Sequence, residues 1–170
     1  AALHYMEEPC ISGKNGSGTI FFTGCNLRCI FCQNYKISHN NFGKVISNER
    51  LSEIILGLQD KGANNINLVT AGHFLVQVRE ALILAKARGL TIPVVYNSSG
   101  YEKAEMLRLL DGLVDIYLPD FKYMESELAG KYSHAKDYPE TAKEALAEMV
   151  CQAGTPEFDD RGMMKKGVIV

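Results

Sequence analysis

The 170-residue sequence is short of several things, and each shortage excludes a class of protein. It lacks charge of one sign: the formal net charge is −2. That leaves no basic footprint for nucleic acid and no attraction to an acidic membrane surface. It lacks any apolar run long enough to span a bilayer, and it shows no signal-peptide pattern. No low-complexity tract, linker or shift in composition divides it, so one domain with a real core is expected. No G-x-G-x-x-G follows the first apolar run, which argues against an open dinucleotide-binding sheet. Cysteine is sparse and odd in number, five in all, with three close together. That disfavours a disulfide framework and points to the reduced cytosol, hence a cytoplasmic protein.

What the chain does have is concentrated in residues 18–34. Thr19 to Phe22 is a short apolar run that reads as a buried strand. Gly24 follows, able to turn the backbone at positive φ without steric cost. Then come Cys25, Cys29 and Cys32, spaced C-x3-C-x2-C. Three thiols on a tight loop after a strand can point into one small volume. Thiolates are soft donors that suit zinc and iron–sulfur clusters. A closed zinc site takes four ligands, and no further Cys or His completes a familiar zinc spacing. Three thiolates on a [4Fe–4S] cube would leave one iron open for another ligand. Two readings stand: a reactive cluster with an open position, or a structural metal site with Cys10 or a His as fourth ligand.

The rest of the chain alternates strand and helix patterns, the mark of parallel α/β architecture. The first strand is placed at 18–23. A helix over 49–60 carries Leu51, Ile54, Ile55 and Leu58 at helical spacing, capped by Ser47 or Asn48 and closed by Gly62. Strand 66–69 precedes a helix over 74–88 that ends at Gly89. Strand 92–96 has Pro93 near its start, where it is tolerable. A short helix over 102–110 and a strand at 114–118 follow. A helix over 139–152 opens with Pro139 and ends at Gly154. Residues 167–170 read as the start of a fifth strand. The polar, Gly-containing segments Gly24–Asn34, Thr70–His73, Asn97–Gly100 and Pro119–Lys122 each follow an apolar run. In a parallel barrel these strand ends would converge on one mouth, where the chemistry sits.

The stretch Cys25-Asn26-Leu27-Arg28-Cys29-Ile30-Phe31-Cys32 resembles the signature of the radical S-adenosylmethionine (SAM) enzymes. With Glu8-Pro9-Cys10-Ile11-Ser12-Gly13 and Asn34-Tyr35-Lys36-Ile37-Ser38, the chain is more narrowly similar to the pyruvate formate-lyase activating enzyme group, in a branch of unassigned substrate. The resemblance implies a partial, six-stranded (β/α)6 TIM-like barrel. A barrel needs more residues than are present, so the expected protein is longer, with one or two more C-terminal strands and an N-terminal segment.

The resemblance also implies roles. Cys25, Cys29 and Cys32 would hold a [4Fe–4S] cluster whose fourth iron binds the amino and carboxylate groups of SAM. Phe31 would pack on the adenine with Gln33 beside it. Relatives carry Gly-Gly-Glu after the second strand, where the backbone receives the SAM amino group. This sequence has Thr70-Ala71-Gly72-His73, so the carboxylate is absent. Asn97 and Ser98 would reach the ribose hydroxyls. Asp120 and Lys122 would lie near SAM and substrate; His73 is placed at the same mouth, as a candidate catalytic residue, by its strand-end position. The implied chemistry is reductive cleavage of SAM to a 5′-deoxyadenosyl radical that abstracts hydrogen, in the activating enzymes from a glycine of a partner protein. A reductant such as flavodoxin or ferredoxin is implied. Local readings stand beside these: His73 as a packed polar group and Asp120–Lys122 as a charge pair; Arg28 reads either as an offset to cluster charge or as a surface residue. Cys10 and Cys151 read as buried thiols. His4, His39 and His134 read as surface or locally bonded residues, and Tyr35 and Phe42 as loop anchors.

Overall fold

The computed structural model describes residues 1–40 and 42–170. Strand β1 (Ala2–His4) and the one-turn helix α1 (Pro9–Ser12) precede β2 (Ser17–Phe21). The cysteine loop leads into α2 (Tyr35–Ser38) and α3 (Asn48–Asp60). Then follow β3 (Ile66–Val69), α4 (Leu75–Ala87), β4 (Val94–Ser98), α5 (Ala104–Leu107) and β5 (Ile116–Pro119). The chain continues through α6 (Ser126–Ser133) and α7 (Tyr138–Ala153) to a hairpin of β6 (Glu157–Phe158) and β7 (Met164–Val168). No helix among the described residues is long and apolar enough to cross a membrane.

The strands form one sheet in the order β1-β2-β3-β4-β5-β7-β6. From β2 to β7 the pairs are parallel, and the antiparallel pairs, β1 with β2 and β6 with β7, lie at the two ends. The parallel strands run in chain order without the reversal that makes a doubly wound sheet. This mixed α/β arrangement is compatible with the expected partial barrel. Register matters more than strand count for the site. Phe21 pairs with Val69, Val69 with Asn97, and Asn97 with Leu118. Four strand ends therefore lie level, and their loops start from one row.

Alternation along the strands divides the core. On the helix-covered face, Ile20, Leu68, Tyr96 and Tyr117 pack under α3, α4 and α7. On the other face, Val95 and Ile116 pack with Ile11 of α1 and Met164 of β7. A third cluster, of Leu27, Tyr123, Ala129, Ala135, Tyr138 and Ala142, ties the cysteine loop to α6 and α7. Leu27 is 1% exposed. Burying a leucine contributes about 2 kcal/mol, here to a segment of thiols and turns that would otherwise have little apolar anchorage.

The expected helix ends hold where caps define them. The Ser47 hydroxyl accepts from Arg50 N at 3.2 Å at the start of α3. Gly89 and Gly154 follow α4 and α7 with φ of +99° and +68°. Other expectations are corrected. The helix expected over 102–110 is one α turn, α5, followed by a 3-10 turn over Arg108–Leu110, because Asp111-Gly112 breaks it so soon. Strand β4 starts after Pro93, whose carbonyl accepts from Ile66 N. The last strand begins at Met164, since β6 pairs with it. Cys151 is exposed on α7, while Cys10 is half-buried against the Ile11 cluster. Tyr35 and Phe42, expected as anchors, are both exposed.

Candidate metal and cofactor site

The cysteine loop is held from both sides by backbone. Gly24 has φ +85°, as its place after a strand requires, and its N–H donates to Ile37 O. On the other side, Arg28 N and Ile30 N donate to Ser133 O and Tyr132 O at the end of α6. Helix α6 was not foreseen in the sequence, yet it fixes the loop.

Cys25, Cys29 and Cys32 line one cleft of about 360 Å³. Phe31 and Gln33 line it from the same loop, Thr70 from the end of β3, and Asn97 and Ser98 from the end of β4. Asp120 and Lys122 come from the end of β5, paired with each other as an ion pair. Ten of the sequence-derived site residues thus share one cavity. Three do not. Ala71 is fully buried, and its side chain belongs to the helix-side core. Gly72 and His73 face a neighbouring cleft with Asn26, Tyr101 and Glu102. His73 Nε2 donates to Thr23 O at 2.5 Å, a bond that fixes its tautomer and keeps it from Asp120 and Lys122.

Thr70 has φ +59°. For a β-branched residue this is a strained conformation, of the kind that collects at functional sites. It is held by Thr70 N donating to Asn97 O at 2.9 Å. Thr70→Gly is expected to raise stability by about 0.5–1 kcal/mol, the left-handed penalty less the entropy of glycine. A urea midpoint unchanged or lowered would remove the strain reading.

The three thiols are soft donors, a set that suits an iron–sulfur cluster. Burial pushes the Cys25 thiol up, and the neighbouring Cys29 and Cys32 push it further, so the three feel one another. The Cys25 thiol therefore needs a cationic metal beside it to stay ionised. Yet no three His, Cys, Asp or Glu side chains among the described residues converge closely enough to hold one metal ion. A polynuclear cluster spreads its ligands over several irons, whereas zinc gathers them at about 2.3 Å. Cys10, the candidate fourth ligand of a structural site, packs on a different cluster.

The family comparison agrees with this donor set. The family model of the radical SAM superfamily matches residues 19–158. The chain belongs to the radical SAM superfamily. Its members use SAM for radical chemistry at an iron–sulfur cluster. An uncharacterized protein of Methanocaldococcus jannaschii, MJ0674, is 38% identical over 146 residues, covering 80% of this chain and 41% of that protein. The chain thus spans about two fifths of that relative's length.

In this radical SAM chain the sequence reading missed one carboxylate. Glu102 is 7% exposed, and its Oε2 accepts from Ser98 Oγ at 3.1 Å. A Cβ placed on Gly72 would lie 3.0 Å from its Oε1 and 3.3 Å from Tyr96 Oη. The Tyr96 hydroxyl makes no hydrogen bond of good geometry, but it faces the same carboxylate, and that contact favours the charged form. A buried carboxylate from the segment after β4 thus stands beside Gly72. Burial pushes the Glu102 pKa up to about 7, against the hydrogen bond from Ser98 and the contact with the Tyr96 hydroxyl, with Asp120 adding to the rise.

Tyr138 was missed as well. Its hydroxyl accepts from Lys122 N at 2.9 Å and lies 2.8 Å from Ser99 O and 3.0 Å from Asp120 O. Burial raises its pKa to about 12, so it remains a donor and joins the loops after β4 and β5.

Proposed function

We propose that this chain is the core of a radical SAM enzyme, a partial (β/α)6 barrel that binds a [4Fe–4S] cluster and SAM at its strand ends. Cys25, Cys29 and Cys32 would hold the cluster. Phe31 and Gln33 would take the adenine, and the backbone at Thr70 the amino group, with Ala71 and Gly72, which lie outside the shared cleft, continuing that turn. Asn97 and Ser98 would bind the ribose. Asp120 and Lys122 would face substrate, with His73 shaping the adjoining turn. When bound and reduced, the cluster supplies one electron to SAM, which yields methionine and a 5′-deoxyadenosyl radical able to take hydrogen from substrate. The chain's part is to orient SAM on three thiolates and four level strand ends, and to shield the reacting atoms. The observation that carries this is the shared cleft: three thiols and the polar groups of three successive strand ends line one cavity.

The cytoplasmic partner would be a reductant such as flavodoxin or ferredoxin. The narrower reading, hydrogen abstraction from a glycine of a partner protein, rests on the motif resemblance to activating enzymes. The test uses the full-length protein, reconstituted anaerobically with iron and sulfide, reduced with dithionite and supplied with SAM. Release of 5′-deoxyadenosine is expected, with loss of cluster and product in Cys29→Ala. Stoichiometric zinc and no cluster would sink the proposal and restore the structural-metal alternative.

A further inference from the structure

We infer that the buried hydroxyls of Ser133 and Ser38 donate hydrogen bonds to the cluster ligands Cys29 and Cys32 and raise the reduction potential of the cluster. The inference rests on the radical SAM reading above. It concerns residues outside the cysteine motif, on two different helices.

Ser133 lies at the end of α6 and is 1% exposed. Its Oγ donates to Cys29 Sγ at 2.9 Å. The Tyr123 hydroxyl lies 2.7 Å from the same Oγ. A serine hydroxyl has one hydrogen. Spent on Cys29, it leaves Tyr123 as the donor to Ser133, so the chain runs one way toward the thiolate. The second relay repeats the arrangement. Ser38 Oγ lies 3.2 Å from Cys32 Sγ and 2.8 Å from His39 Nδ1. Once Cys32 is a ligating thiolate it can only accept. Ser38 then gives its hydrogen to sulfur, and His39 must present Nδ1–H. Cys25 has a backbone donor instead, Leu27 N at 3.4 Å. All three thiols therefore carry a donor, and two of the donors are side chains backed by a further hydroxyl or ring N–H.

A hydrogen bond to a ligand sulfur stabilises the more negative state of the cluster. Hydrogen bonds to sulfur and burial are among the levers that set iron–sulfur potentials. Reduction adds one electron from the external reductant and transfers no atom, so these donors favour the reduced form. Relaying each donor through a second group strengthens it and fixes its direction. Ser133 and Ser38 are thus positioning residues: they act through the cysteines, and a merely space-filling serine would not move the potential.

The experiment is an EPR-monitored redox titration of the reconstituted full-length protein with dithionite as reductant. Ser133→Ala and Ser38→Ala should each give a more negative midpoint, and the double variant a more negative one still. Ser133→Thr, which keeps the hydroxyl, should return toward the wild-type value. Tyr123→Phe leaves the serine in place and should shift the midpoint in the same direction by less, and it remains readable if the alanine variants load poorly. Alanine variants and Tyr123→Phe all titrating at the wild-type midpoint would overturn the inference while leaving the radical SAM reading intact. Wild-type protein that takes up no cluster would overturn both.

Discussion

Gly100→Ala is expected to lower stability by at least about 3 kcal/mol, well beyond the strain of a left-handed alanine. Gly100 has φ +74°, which alone costs alanine about 1 kcal/mol. The added Cβ would lie 2.3 Å from Asp120 O and 3.4 Å from Tyr138 Oη. The obstructing atom is backbone, so no rotamer change relieves it. Asp120 N is itself bound to Ser98 O at 2.9 Å, and Tyr138 holds the two loops together. Making room for one methyl means parting the loops after β4 and β5, which carry Ser98, Asp120 and Lys122. Gly112→Ala is the matching control: φ is +70° and a Cβ there meets nothing within 4 Å. It should lose only about 1 kcal/mol. Urea unfolding of both variants decides the matter. Equal losses would mean that the loops part freely and that the close approach stabilises nothing.

That close approach explains why some of the site was legible in the sequence and some was not. The cysteine spacing and the strand-end segments could be read because chemistry and turn geometry both restrict residue type locally. Ser47, Gly62 and Gly89 marked helix ends for the same reason. Glu102 and Tyr138 could not be read, because their importance comes from burial against distant segments. Glu102 stands at the start of the helix expected over 102–110, where an acidic residue is ordinary, and only the register of β4 beside β3 brings it to Gly72. One signal was present: a carboxylate four residues beyond Ser98, across a glycine turn, can fold back on that serine. Helix α6 was hidden by its weak apolar pattern, with Ala129 and Ser133 the buried residues. Without it the Ser133 donor to Cys29 stays invisible. His73 fell between two readings because a strand-end histidine can serve either ligand or backbone, and the Thr23 carbonyl takes its Nε2–H.

Glu102 should also make folding stability depend on pH in the direction opposite to an ion-paired carboxylate. Its folded pKa, about 7, lies above the ordinary glutamate value of 4.5, so the native state holds a proton that the unfolded chain has released. The stabilisation is complete below about pH 4.5 and is lost as pH rises through 7. The full span costs about 3 kcal/mol. Glu102→Gln keeps an acceptor for Ser98 Oγ and cannot ionise. It should therefore be less stable than or equal to wild type at pH 5 and more stable at pH 8.5, by as much as about 3 kcal/mol before any loss in fit. Other titrating groups affect both proteins alike, so the difference between the two urea curves isolates Glu102. Parallel curves across that range would show that the carboxylate is solvated or ion-paired in the native state. Crossing curves would establish a charge held at cost between Ser98 and Gly72. Glu102 itself lines the neighbouring cleft, and it reaches the cleft of the three cysteines through Ser98, which lines that cleft and whose hydroxyl hydrogen is already committed to Glu102. Ser98 can then meet a ligand only as an acceptor, which suits a hydroxyl donor such as those of a ribose.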